Sequence, residues 1–214
     1  MPDFAHEAEY DGAVIGIDEA GRGPWAGPVT ASAIWLGTAA DRLRLPVGID
    51  DSKKLKPASR TSLAAILSEP PFFSHTVSIG ADVIDQIGIL QATFRAMTEA
   101  AQGLSHQMQE AGLSQPIHAL VDGNLLPAAM PVPATALVKG DQRSLSIAAA
   151  SILAKATRDS LMFNLHQTWP HYGWDRNMGY GTKAHSAGLD AYGVSPHHRH
   201  SFKPIQRYLD VTRP

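Results

Sequence analysis

The sequence predicts an α/β fold, an open sheet with helices on its faces. Three observations predict it. Five apolar runs of strand length alternate with longer stretches that favour helix. Gly and Pro punctuate the connections. Three of the runs lead into acidic residues, and functional groups of an open α/β sheet gather where strands end.

The elements follow in order. Residues 13–17 form an apolar run that ends at Asp18, which reads as a buried strand with acids at its C-terminal end. Residues 29–36 form a second strand, reached through a turn rich in Gly and Pro. Residues 57–67 have helical spacing, with Pro57 at the start, where a missing N–H does no harm. Residues 72–79 form a third strand. Residues 81–111 favour helix, with expected breaks near Gly88 and Gly103. Residues 117–121 end in an acid, Asp122. Residues 134–138 form the fifth strand and precede Lys139-Gly140-Asp141. Residues 144–169 predict a long helix, and residues 182–192 a short one. There is no internal repeat and no low-complexity tract.

Composition narrows the class. A length of 214 residues fits one domain, or one domain with a small appendage. Hydrophobic residues at 44% supply a core, and 18% charged residues argue against global disorder. Cysteine is absent, which removes disulfides, thiolate metal sites and a cysteine nucleophile. The acidic N-terminus has no apolar run behind it, so it does not read as a signal peptide. No stretch is long enough to span a bilayer. The expectation is a cytoplasmic protein with no membrane partner. A net charge of −2 leaves nucleic-acid attraction to local basic clusters.

The acids carry the chemistry. Any one of Asp18, Glu19, Asp122 or Asp141 could simply cap a helix or turn. Recurrence at three strand ends weakens that reading. Four clustered carboxylates do not all stay ionised without a compensating cation. Oxygen ligands suit Mg²⁺ or Mn²⁺. Two such ions about 4 Å apart can activate a water and stabilise the leaving oxygen of a phosphodiester.

Three other readings compete. Gly21-Arg22-Gly23-Pro24-Trp25-Ala26 matches a dinucleotide-binding fingerprint, but that motif must open a helix, and here a β-like run follows Pro24 and Pro28. A glycosidase also uses paired carboxylates, yet Asp18 and Glu19 point to opposite sides of a regular strand. His197, His198 and His200 around Arg199 match no standard zinc spacing. They read instead as a solvated or phosphate-facing basic tail.

With these residues placed, the chain resembles the ribonuclease HII family. The resemblance rests on Gly16-Ile17-Asp18-Glu19-Ala20-Gly21-Arg22-Gly23-Pro24, and on Asp51-Ser52-Lys53-Lys54-Leu55 with Arg60 beyond. It continues through Val121-Asp122-Gly123-Asn124 with Pro127, then Lys139-Gly140-Asp141, and Ala149-Ala150-Ser151-Ile152-Leu153-Ala154-Lys155. It closes with Gly179-Tyr180-Gly181-Thr182 and His198-Arg199-His200-Ser201-Phe202. The blocks keep their order over about residues 15–204.

The resemblance implies an RNase H-like fold, a mixed five-stranded sheet flanked by helices. It implies a catalytic domain over residues 1–169 and a small helical extension over residues 170–214. It implies hydrolysis of the RNA strand of RNA–DNA hybrids and incision 5′ of single ribonucleotides in duplex DNA. The products would carry 3′-hydroxyl and 5′-phosphate ends, in ribonucleotide removal and in primer or hybrid processing. Asp18, Glu19, Asp122 and Asp141 would be both catalytic residues and ligands of Mn²⁺ or Mg²⁺. Asp159 is expected to be structural, paired with Arg158. The protein is expected to act as a monomer.

Substrate choice would fall to other residues. Only the 2′-hydroxyl separates ribose from deoxyribose. Gly21, Arg22 and Gly23 follow the first acids and would bring backbone close to that hydroxyl, although alone they read as a tight turn. Tyr180 would pack on the neighbouring deoxyribose, where a 2′-hydroxyl would clash. Many relatives have Pro where this chain has Gly181, which bears on the placement of Tyr180. Ser52, Lys53 and Lys54 fit phosphate contacts, with Lys139, Arg143, Ser151 and Lys155 extending the track. A resolvase or integrase on the same acids would want a strongly basic arm, which is lacking. A non-catalytic binding module has no need for four acids that repel phosphate.

Overall fold

The computed structural model describes residues 1–210. Five strands form one sheet in the order β3-β2-β1-β4-β5. They are β1 (Ala13–Ala20), β2 (Val29–Trp35), β3 (Phe73–Ile79), β4 (Ile117–Asp122) and β5 (Ala134–Leu137). β1, β2 and β3 pair antiparallel, whereas β1–β4 and β4–β5 pair parallel. The sheet is therefore mixed. The helices are α1 (Pro57–Leu67), α2 (Ala81–Ile87), α3 (Ile89–Glu110), α4 (Leu145–Thr168), α5 (Trp174–Asn177), α6 (Lys183–Tyr192) and α7 (Lys203–Asp210).

Strand alternation sorts the core into layers. Ala13, Ile15 and Ile17 share one cluster with Ala96, Ala100 and Leu104 of α3. Val14 faces the other way, with Ile147 of α4. Ile34 and Leu36 meet Leu63 and Leu67 of α1 and Ile152 of α4 on that second face. α4 starts cleanly because Ser144 caps it, its Oγ accepting from Ile147 N. Buried Glu7 reinforces the cap, with Oε1 accepting from Ser144 Oγ at 2.7 Å and Ser146 N at 2.9 Å. A carboxylate at a helix N-terminus meets both orphan N–H groups and the positive end of the dipole.

A third cluster gathers the end of the chain. Tyr172, Trp174, Leu189 and Ile205 pack against Met162 of α4 and Ala26 of the loop after β1. The final segments thus cover the glycine-rich loop.

The structure extends one expectation and alters another. β1 continues through Asp18 and Glu19 to Ala20, because pairing with β2 holds as far as Ala20 opposite Thr30. The acids therefore stand at the C-terminal end of the strand, where the sequence places them. Gly88 separates α2 from α3, but α3 runs through Gly103 unbroken. Gly103 gives room instead of a break: a Cβ there would lie 2.3 Å from the His75 ring of β3.

Candidate active site

Alternation along β1 places Asp18 on the α4 face and Glu19 on the α3 face. Asp18 is 5% exposed, and its Oδ1 accepts from Glu19 N at 2.7 Å. Asp122 is the last residue of β4, and its Oδ1 accepts from Gly140 N at 2.7 Å. That bond ties β4 to the turn that carries the fourth acid. Asp141 does not end a strand. It sits in a 3-10 turn, Gly140–Gln142, entered through left-handed Lys139 at φ 55°. It is buried, with Lys53 Nζ 3.8 Å from its Oδ2.

These four acids share one electrostatic environment. Burial raises Asp18 well above the usual carboxylate range, and the charges of Glu19, Asp122 and Asp141 raise it further. Burial also raises Glu19, opposed by Arg22 and assisted by Asp122. Asp141 is raised by burial, then by Asp122 and Asp51, against Lys53 and Lys54. Burial works against the Lys53 charge, but Asp141, Asp18, Asp51 and Asp122 outweigh it and raise that amine.

Among the described residues, no three acidic or imidazole side chains converge closely enough to form a ready-made metal cage. The donor set still fits a hard divalent cation. It offers only oxygen, and a bound cation would offset the burial and neighbouring charges that raise Asp18, Glu19 and Asp141.

Beside the acids lies a cleft of about 460 Å³. Glu19, the Gly21–Arg22–Gly23 segment, Ser52, Lys53, Lys155 and Tyr180 all line it. Of the substrate-contact residues expected from the sequence, the cleft brings together Gly21, Arg22, Gly23, Ser52, Lys53, Ser151, Lys155 and Tyr180, whereas Lys54, Lys139 and Arg143 do not line it. Glu19 also borders a smaller recess with Asp122, Asn124 and residues of α3, so it stands between the two. Tyr180 is 48% exposed, and its ring lies against Gly23. Ser52 is buried and bonded to Ser151, Oγ to Oγ, at 2.6 Å. Lys53, Lys54, Lys139 and Arg143 are exposed.

Two buried arginines have a role that the sequence reading did not give them: both hold the glycine-rich loop. Arg158 donates to the carbonyls of Pro28 (2.9 Å), Met178 (3.0 Å) and Ala26 (3.3 Å). Arg199 donates to those of Gly21 (2.6 Å), Arg22 (2.9 Å) and Gly27 (3.0 Å). Gly21 is required here: its φ is +96°, and a Cβ would lie 2.0 Å from Arg158 Nε. Burial lowers Arg158 to about 10 and Arg199 to about 9, the latter also through the Arg158 charge, so both remain charged at neutral pH.

Two expectations fail at this point. The tail at His197 to His200 is not solvated: His198 and Arg199 are fully enclosed, and only His200 is exposed. Its cation is consumed by backbone carbonyls rather than left for phosphate. Asp159 does not pair with Arg158. Adjacent helical residues point about 100° apart. Asp159 instead accepts from Arg60 at 2.8 Å and Lys155 at 2.6 Å. Arg60 also donates to the Ser52 carbonyl at 2.9 Å, so this triad positions the Ser52–Lys53 turn.

Residues 15–205 match the family model described as Ribonuclease HII. The chain belongs to the ribonuclease HII family. A ribonuclease HII of Jannaschia sp. (strain CCS1) is 49% identical over 211 residues, covering 97% of this chain and 98% of that protein. Membership makes this chain a metal-dependent endonuclease of the ribonuclease H class. Solved structures agree on the fold. The ribonuclease H2 from Pyrococcus horikoshii OT3 superposes with a TM-score of 0.72 at 24% identity, covering 93% of this chain and 98% of that one. Bst-RNase HIII in complex with Mn²⁺ gives 0.73 at 19% identity, covering 94% and 70%. The RNase H-like sheet expected for the family is the sheet observed. No helix among the described residues is long and apolar enough to cross a membrane.

Proposed function

We propose that this ribonuclease HII family member cuts the RNA strand of RNA–DNA hybrids and incises 5′ of single ribonucleotides in duplex DNA. The observation that carries the reading is the placement of Asp18 and Glu19 at the end of β1, Asp122 at the end of β4 and Asp141 in the turn bonded to Asp122, beside the Gly21–Arg22–Gly23 loop. These four carboxylates would hold two Mn²⁺ or Mg²⁺ ions. When bound, such ions polarise an attacking water and stabilise the leaving oxygen, giving 3′-hydroxyl and 5′-phosphate ends.

The chain's own residues bind and orient the substrate. Arg199 fixes the peptide planes of Gly21 and Arg22, so backbone groups of this loop meet the 2′-hydroxyl in one orientation. Tyr180, exposed beside Gly23, packs on the next deoxyribose and senses the RNA–DNA junction. Lys53 and Arg22 border the carboxylates and take phosphate, with Ser52 braced by Ser151 behind them. These contacts position without reading sequence, so binding is salt-sensitive and nearly sequence-blind. In this reading residues 1–169 form the catalytic domain and residues 170–214 an extension, its part up to residue 210 braced on that domain and residues 211–214 lying outside the described residues. The protein acts as a cytoplasmic monomer in ribonucleotide removal and in primer or hybrid processing.

The test is a set of labelled duplexes incubated with Mn²⁺ or Mg²⁺. A DNA duplex with one embedded ribonucleotide is expected to be cut 5′ of that ribonucleotide. The all-DNA duplex stays intact, and chelator stops cleavage. Comparable cutting of the all-DNA duplex would overturn the proposal.

A further inference from the structure

A buried chain of hydrogen bonds ends on the backbone of Tyr180. His185 on α6 and His198 are both enclosed, and their Nε2 atoms lie 2.9 Å apart. Trp174 Nε1 lies 3.2 Å from His185 Nε2. Ser195 N and Oγ lie 3.0 and 2.8 Å from His198 Nδ1. His185 Nδ1 lies 3.0 Å from the Tyr180 carbonyl oxygen.

Two of these groups can only donate, and they fix all the others. The Ser195 backbone N–H requires a bare Nδ1 on His198. Neutral His198 therefore carries its proton on Nε2 and donates it to His185. The Trp174 indole N–H likewise requires a bare Nε2 on His185. Neutral His185 therefore carries its proton on Nδ1 and donates it to Tyr180. Adding a proton to either ring would set two N–H groups face to face. Burial opposes that charge as well, lowering His185 and pushing His198 down to about 3.

Tyr180 needs such a tether because of its neighbours. Gly179 has φ +82°, and a Cβ there would lie 2.5 Å from the Ala26 carbonyl oxygen. A Cβ on Gly181 would lie 2.0 Å from the Trp25 ring. Tight packing thus imposes glycine on both sides, and glycine adds no conformational restraint of its own. The Tyr180 N–H donates to the Asn177 carbonyl at 2.9 Å, and the Tyr180 carbonyl accepts from Thr182 N at 2.9 Å as well as from His185 Nδ1, the one side chain among the described residues that holds it.

We propose that His185 is a positioning residue for substrate recognition, its Nδ1–H holding the Tyr180 carbonyl while His198 and Ser195 lock the required tautomer. The inference rests on the reading of Tyr180 as the junction sensor. It accounts for two buried histidines that neither touch the acids nor reach the surface.

Two replacements at one position test it. Asn at 185 keeps a donor at the Nδ1 position and gives up the contacts at Nε2. Gln keeps an acceptor near Nε2 and gives up the donor to Tyr180. The readout is junction preference, the ratio of kcat/KM on a single embedded ribonucleotide to kcat/KM on a continuous hybrid. It is measured below the melting temperature of each variant. His185→Asn is expected to keep this ratio within about twofold, and His185→Gln to lower it about fivefold to tenfold. Equal ratios in the two variants overturn the inference. Tyr180→Ala serves as the reference. If it lowers the ratio and His185→Gln does not, the tether fails and the sensor stands. If Tyr180→Ala leaves the ratio unchanged, both fall. A readout on the unaltered protein covers the case in which a variant does not fold. Imidazole ¹⁵N spectra at neutral pH are expected to show His185 as the Nδ1–H form and His198 as the Nε2–H form. The reverse assignment overturns the proposal.

Discussion

Asp18→Asn is expected to abolish cleavage and, in the same protein, to raise the melting temperature of the metal-free chain. The two effects have one origin. Burial first, and then the charges of Glu19, Asp122 and Asp141, raise the Asp18 carboxyl in the folded state. A carboxyl raised on folding contributes stability at low pH and loses it as pH rises through the folded value. Above the ordinary carboxylate range the metal-free chain therefore bears the cost of a buried, crowded Asp18. Asparagine has the same shape, keeps an oxygen for the Glu19 N–H and carries no charge. The gain is roughly 2–4 °C in melting temperature per kcal/mol of repulsion relieved. It shrinks as pH falls, because the unaltered carboxyl then becomes neutral too. Loss of a metal-facing charge removes on the order of 4 kcal/mol from the transition state, about a thousandfold in rate. Scanning calorimetry with chelator and single-turnover cleavage with Mn²⁺ read the two effects. A less stable Asp18→Asn protein would contradict the electrostatic account.

Arg199→Met is expected to be the most damaging change outside the acids. Arg199 is completely buried and gives its donors to the carbonyls of Gly21, Arg22 and Gly27. Methionine fills much of the same volume but offers no donor. Three carbonyls then lose their charged partner inside the protein. The cost is about 3–5 kcal/mol, or a fall in melting temperature of roughly 10 °C. Activity falls as well at temperatures where the variant is folded, because Gly21 and Arg22 lose the clamp that orients them. A solvated, phosphate-binding arginine would behave differently. Its loss would weaken substrate binding in a salt-dependent way and leave the melting temperature unchanged. Melting and salt dependence measured together distinguish the two.

What the sequence disclosed follows a physical pattern. Asp18, Glu19 and Asp122 were legible because apolar strands announce their own ends, and the acids stand there. Asp141 belonged to the same group, but its 3-10 turn depends on the Asp122–Gly140 bond, a contact between residues far apart in sequence. The partner of Asp159 depended on helix phase, which turns it away from its neighbour Arg158 and toward Arg60 on α1. Arg199 misled because a cluster of His and Arg looks polar by composition. Its partners are backbone carbonyls, and these carry no signature in a sequence. The His185–His198 pair was hidden for the same reason, since only the packing of Trp174 and Ser195 gives it a direction.

The four carboxylates are proposed to act together as a divalent-cation site. Calorimetric titration of Mn²⁺ into chelator-treated protein tests it most directly, with the unaltered chain compared against Asp122→Asn. Asp122 is chosen because it contributes to the raised values of Asp18, Glu19 and Asp141 alike. Saturable binding to the unaltered chain is expected, with an affinity about tenfold lower or worse in the variant. Equal affinity in the two proteins would contradict it.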